Sequence, residues 1–100
     1  MNLTPLTVEE ITKYMDSLPN WKIKNNALEK TFQLHTFEAA MDFTFDVSKI
    51  AQKLRHHPLI NNRELNVEFR ITTFDAGNKV TMYDIELAKG IEELWNSKYL

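Results

Sequence analysis

Leu65-Asn66-Val67-Glu68-Phe69-Arg70-Ile71-Thr72 alternates apolar and polar side chains without a break, and its reading decides the fold. Successive side chains of a strand point to opposite faces. The pattern therefore describes a strand with Val67, Phe69 and Ile71 turned to a core and Asn66, Glu68 and Arg70 turned to water. A sheet with one wet face is characteristically antiparallel, with helices covering the other face. Upstream, Trp21-Lys22-Ile23 and Leu28-Glu29-Lys30-Thr31-Phe32-Gln33-Leu34 flank the polar turn Lys24-Asn25-Asn26, and the spacing predicts a hairpin. Downstream, a turn at Asp75-Ala76-Gly77-Asn78 leads to a short fourth strand at Lys79-Val80.

Helices fill the gaps between these strands. Thr7-Val8-Glu9-Glu10 has the form of a capping box, followed by Ile11, Met15 and Leu18 at helical spacing and by Pro19 as a stop. Thr36 reads as the cap of a long helix running to about Leu54, with Glu38 in the first turn where the helix dipole favours an acid. Phe37, Ala40, Met41, Val47, Ala51 and Leu54 form one stripe on it, and Phe43, Ile50 and Leu54 form a second. An arc that wide predicts packing against a third helix or another subunit as well as the sheet. Thr81-Met82-Tyr83-Asp84 is a further capping pattern, opening a last helix marked by Ile85, Ala88, Ile91, Leu94 and Trp95. Lys89, Glu92 and Glu93 are expected on its solvated face, Lys89 and Glu93 at pairing distance. The expectation is an α+β fold, a four-stranded antiparallel sheet with helices packed on one face in the order α-β-β-α-β-β-α, with residues 1–100 forming a single domain.

Composition narrows the function classes. A chain of 100 residues with 43% hydrophobic content can bury one core, and no cysteine means no disulfide framework, Cys-based zinc site or thiol nucleophile. A formal charge of −2 argues against a general nucleic-acid binder, which carries a basic surplus. The start Met1-Asn2-Leu3-Thr4-Pro5 lacks the basic and apolar regions of a signal peptide, and no apolar run approaches the roughly 20 residues that span a bilayer. A cytoplasmic address without membrane contact is expected.

One constellation can carry chemistry: Arg55-His56-His57-Pro58, where the long helix must stop because Pro58 disfavours a helical residue before it. Histidine in a last helical turn suits the helix dipole, so a structural role accounts for the pattern. Two imidazoles titrating near neutrality also suit acid–base work on one substrate. A metal site is not expected, because adjacent side chains rarely face one ion and His35 is the only other imidazole.

With these residues assembled, the chain resembles the pterin-4a-carbinolamine dehydratases over nearly its whole length. The resemblance rests on Asn20-Trp21, Leu28 through Phe32, Phe37 through Phe43, Ala51 through the His56-His57-Pro58 run, Asn66-Val67, Ile71-Thr72-Thr73, Val80-Thr81 with Asp84, and Leu87-Ala88. It implies dehydration of 4a-hydroxytetrahydropterin to quinonoid dihydropterin, the recycling step of tetrahydrobiopterin, without metal or organic cofactor. It further implies assembly as a homodimer or homotetramer. Carried over by position, His56 and His57 are the acid–base pair, Pro58 lines the pterin pocket and Thr73, Phe74 and Asp75 form the opposite wall. Trp21 falls near the pocket mouth, and Asp84 matches an acidic residue beyond it.

Four positions depart from the family pattern. Gln52 stands where an acid is common, Ile60 and the Glu64-Leu65 pair where aromatics are usual, and Phe74 where the strand usually ends in histidine. Phenylalanine transfers no proton, although it can stack on a planar heterocycle. The resemblance thus implies a slowed hydro-lyase. The alternative is a catalytically weak or inactive member acting as a protein-binding dimerisation or assembly module, as some animal and plant relatives do.

Overall fold

The computed structural model describes residues 1–100. Its elements are α1 (Val8–Met15), β1 (Lys22–Lys24), β2 (Ala27–Gln33), α2 (Phe37–Leu54), β3 (Leu59–Arg63), β4 (Asn66–Ile71) and α3 (Met82–Leu94), followed by a wider helical turn at Trp95–Tyr99. The four strands form one antiparallel sheet in the order β1-β2-β4-β3. No helix is long and apolar enough to cross a membrane.

The α+β architecture and element order agree with the pattern read from the sequence, with one strand assigned differently. Lys79-Val80 is not a sheet strand, since Lys79 makes only an isolated bridge to Thr73. The fourth strand is β3, whose Leu59-Ile60-Asn61-Asn62-Arg63 lacks the alternation that betrays a strand. As an edge strand with most residues exposed, it has little burial to impose a period of two.

Turn chemistry sets the hairpins. Asn25 and Asn26 both take positive φ (50° and 62°), the pair of left-handed residues a tight two-residue hairpin requires and asparagine tolerates. In β4, Val67, Phe69 and Ile71 are fully buried while Asn66, Glu68 and Arg70 lie on the other face. There the Arg70 Nε–H donates to Glu29 Oε2 across the strands at 2.9 Å. On the buried face Phe32, Phe43 and Phe69 meet edge-on, with ring centroids 5.1–5.9 Å apart, and Trp95 closes on Phe32 at 4.9 Å. Helix α2 gives Ala40, Phe43, Val47 and Ala51 to this core. Its Ile50 and Leu54 turn to α3, where Gly90 lets the helices close in: a Cβ there would lie 3.0 Å from the Ile50 side chain. The wide apolar arc of α2 is thus used twice, on the sheet and on the neighbouring helix, while Phe37 and Phe45 remain exposed.

Two charged residues lie on the buried side, one of them, Glu92, where a solvated face was expected. Lys30 pairs in register with Phe69 and so points to the helix side. Its ammonium donates to both Glu92 oxygens (2.7 and 3.0 Å) and to the Pro19 carbonyl (2.8 Å), matching three acceptors to three protons. Glu92 is therefore buried and not on the wet face, and Lys89 lies beside Glu86 at 3.9 Å, not in an ion pair with Glu93. The sequence offers no sign of this because Lys30 and Glu92 are 62 residues apart. Removing one partner strands the other charge: Glu92→Ala is expected to lower the unfolding free energy by about 3–5 kcal/mol, and Lys30→Met/Glu92→Leu by much less, in urea titrations.

The C-terminal turn is tied down by Asp46 of α2, whose Oδ2 accepts from Lys98 Nζ (2.8 Å) and Tyr99 Oη (2.6 Å). The Lys98 and then the Tyr99 hydrogen bond hold the Asp46 carboxyl below its ordinary range. Burial, followed by the Asp46 contact, pushes the Tyr99 phenol up. A carboxyl whose folded pKa is depressed stabilises the fold above the unfolded value and loses that contribution as pH falls through the folded one. Asp46→Asn is accordingly expected to flatten the acid-side fall in stability below about pH 4, read by thermal melts across pH.

Candidate active site

Helix α2 ends in a Schellman turn. Arg55 turns left-handed (φ 54°, ψ 42°), Arg55 N–H donates to the Gln52 carbonyl (3.1 Å) and His56 N–H to the Ala51 carbonyl (3.0 Å). Glycine is the usual residue at such a position, and a side chain there costs about 1 kcal/mol. The turn swings His56 and His57 off the helix axis toward the end of β4. There Thr73 opens the short turn Phe74–Ala76, with its N–H donating to the Lys79 carbonyl and its own carbonyl accepting from Asn78. The bridge misread as a strand thus fixes the backbone of Thr73.

These segments enclose an open cleft of about 570 Å³ whose walls include Leu54, Arg55, His56, His57, Thr73, Phe74, Asp75 and Tyr83. Met1 and Leu3 close one end, with Tyr83 Oη donating to the Met1 carbonyl at 3.1 Å and Leu6 N–H to the Val80 carbonyl at 2.8 Å. Phe74 presents a ring 71% exposed, and Tyr83 tilts against His56 with centroids 5.5 Å apart.

Behind His56 lies Asp84, with no exposed surface. Asp84 Oδ1 is 2.6 Å from His56 Nε2, while Oδ2 accepts from Thr73 Oγ1 (2.8 Å) and Thr81 N–H (2.8 Å). The capping-box reading of Asp84 holds, with Oδ2 serving the cap while Oδ1 meets His56. With Nε2 engaged by Asp84, the other ring nitrogen of His56, Nδ1, makes no hydrogen bond to the protein. His57 is more exposed, and its Nε2 lies 3.1 Å from Gln52 Oε1. Gln52 thus makes a neutral contact to His57 from the position where an acid was expected. No three His, Asp or Glu side chains converge as a metal-ligand cluster.

The expected site residues divide by place. His56, His57, Thr73, Phe74 and Asp75 come together around the cleft. Pro58 lines an adjoining shallow hollow with His57, Gln52 and Ile60. Asp84 stands behind the cleft wall, not on it. Trp21 is elsewhere: it is 4% exposed in the core, edge-on to Phe32 at 6.3 Å. A large ring next to the β1–β2 hairpin gains more from burial than from a place at the mouth. Sequence reasoning passed over Arg55, Tyr83 and the hydroxyl of Thr81, the last two because a capping pattern already explained them.

Fold and site together define a small α+β protein with a carboxylate-backed histidine at the mouth of a cleft. A family model described as pterin 4 alpha carbinolamine dehydratase matches residues 4–94. A relative from Sulfurisphaera tokodaii, provisionally named a pterin-4-alpha-carbinolamine dehydratase, is 40% identical over 89% of this chain and 95% of its own. Another with the same provisional name, from Opitutus terrae, is 38% identical over 91% and 94%. The crystal structure of a transcriptional coactivator/pterin dehydratase from Brucella melitensis superposes with a TM-score of 0.85 at 27% identity, covering 91% of this chain and 98% of that one. The chain belongs to the pterin 4 alpha carbinolamine dehydratase family.

Thr73 Oγ1 and the Thr81 N–H donate to Oδ2, so an amide in place of Asp84 keeps its oxygen there and turns its NH₂ to His56 Nε2, which accepts only in the tautomer with its proton on Nδ1. Asp84→Asn is expected to lower the unfolding free energy by about 1–3 kcal/mol in chemical denaturation.

Proposed function

We propose that this protein dehydrates 4a-hydroxytetrahydropterin to quinonoid dihydropterin, with His56 and His57 as its acid–base pair. The observation that carries the reading is the 2.6 Å contact between His56 Nε2 and a buried carboxylate at a cleft that also holds His57. A donor N–H at Nε2 leaves the Nδ1 lone pair as a base, and Asp84 stabilises the positive charge that develops when Nδ1 takes a proton. That proton leaves a ring nitrogen of the substrate. The freed electron pair forms a C=N bond to C4a, the C4a–O bond breaks, and protonated His57 delivers a proton so that the oxygen departs as water.

Phe74 supplies an exposed ring for the heterocycle to stack on, in place of a third imidazole. Thr73 and Asp75 continue that wall, and Pro58 supports His57 from the adjoining hollow. Acid–base assistance is worth about 10²–10⁴-fold, so the loss of one participant leaves room for a slower enzyme.

The decisive experiment is the dehydration rate of freshly generated 4a-hydroxytetrahydropterin with wild type beside His56→Ala/His57→Ala. Wild type is expected to accelerate the reaction and the double variant to run at the uncatalysed rate. Two folded proteins that both stay at the uncatalysed rate would sink the reading. A second reading, an assembly or protein-binding role, draws support from Phe37, Phe45 and Leu59, each more than half exposed, and from the coactivator in the name of the Brucella structure.

A further inference from the structure

The contact between Thr73 Oγ1 and Thr81 Oγ1 (2.7 Å) has a direction that proton counting supplies. Thr73 owns one hydroxyl proton, and the 2.8 Å contact to Asp84 Oδ2, an oxygen that also accepts from Thr81 N–H, uses it. Thr81 must therefore donate its own hydroxyl proton to Thr73. Having done so, its oxygen accepts from Tyr83 N–H at 3.2 Å. The chain runs one way: Tyr83 N–H to Thr81, Thr81 to Thr73, Thr73 to Asp84 Oδ2. With Oδ2 taken by two donors, the carboxylate turns Oδ1 to His56, and an ionised Asp84 calls for the imidazole proton on Nε2. Thr73, Thr81 and Asp84 are 3%, 0% and 0% exposed, so water does not readily stand in for a missing member.

We propose that Thr73 and Thr81 are positioning residues that decide which nitrogen of His56 reacts, and that neither binds substrate through its hydroxyl. This revises the part expected of Thr73, whose hydroxyl is spent on Asp84. It rests on the dehydratase reading of the cleft. Without the Thr73 hydroxyl, Thr81 loses its acceptor and Asp84 loses one of its two donors at Oδ2. The carboxylate is then free to rotate, the imidazole is no longer held with Nε2–H inward, and the tautomer with the proton on Nδ1 presents no lone pair to the cleft.

The test joins two readouts on the full chain. Side-chain ¹H–¹⁵N spectra of neutral His56 are expected to place its proton on Nε2 in wild type. Thr73→Val keeps the volume and loses the hydroxyl. It is expected to mix the tautomers and lower kcat by about tenfold or more, with KM changed by less than about twofold, and Thr73→Ser to restore both. A Thr73→Val protein with wild-type kcat and an unchanged Nε2–H signature overturns the proposal. So does a wild-type His56 that carries its proton on Nδ1. Where Thr73→Val does not fold, the wild-type and Thr73→Ser spectra decide: a proton on Nε2 in both supports the network, and any other pattern overturns it. Absence of dehydration by wild type sinks the dehydratase reading alone, because the spectra judge the network independently.

Discussion

Asp84 is the constraint on which the arrangement depends. A carboxylate with no access to water is tolerated only where polar partners replace its hydration, and three do so here, from the end of α2, the end of β4 and the start of α3. The same contacts cap a helix, hold β4 to α3 and aim an imidazole. Stability and site geometry are thus one set of hydrogen bonds.

The second buried charge follows the same rule with a different outcome. Lys30 and Glu92 neutralise each other beneath the aromatic cluster, with Pro19 taking the remaining ammonium proton, and both lie outside the histidine cleft. A pair closed on itself fixes how α3 sits on β2. Asp84 instead hands one oxygen to a histidine that still has a ring nitrogen to spend. That difference in free valence separates a structural charge from one suited to chemistry.

Of the departures from the family pattern, Phe74 lines the cleft, Gln52 and Ile60 line the adjoining hollow, and Glu64 and Leu65 lie in the turn between β3 and β4. Gln52 still reaches His57, and Phe74 presents a ring where an imidazole was expected. Edge strand β3 carries exposed Leu59 and Ile60, an apolar margin beside the histidines. Of the support network, Asp84 and Thr81 lie behind the cleft wall, and Thr73 reaches them from the wall itself.

The periodicity of Val67, Phe69 and Ile71, the Thr36 and Thr81 caps and the Asn25-Asn26 turn made three helices and three of the four strands legible, because each is a local signal set by backbone geometry. β3 was illegible because an exposed edge imposes no burial pattern. His56 and His57 stood out as residue types, and Asp84 stood out as a cap. By itself the sequence determined the three helices, three of the strands and the chemistry available at the end of α2. Only the tertiary structure decided that Trp21 belongs to the core, that Glu92 meets Lys30, and that Thr81, Thr73 and Asp84 line up behind His56. Those are contacts between residues 8 to 62 positions apart, set by how the helices lie on the sheet, and no local pattern in the chain encodes them.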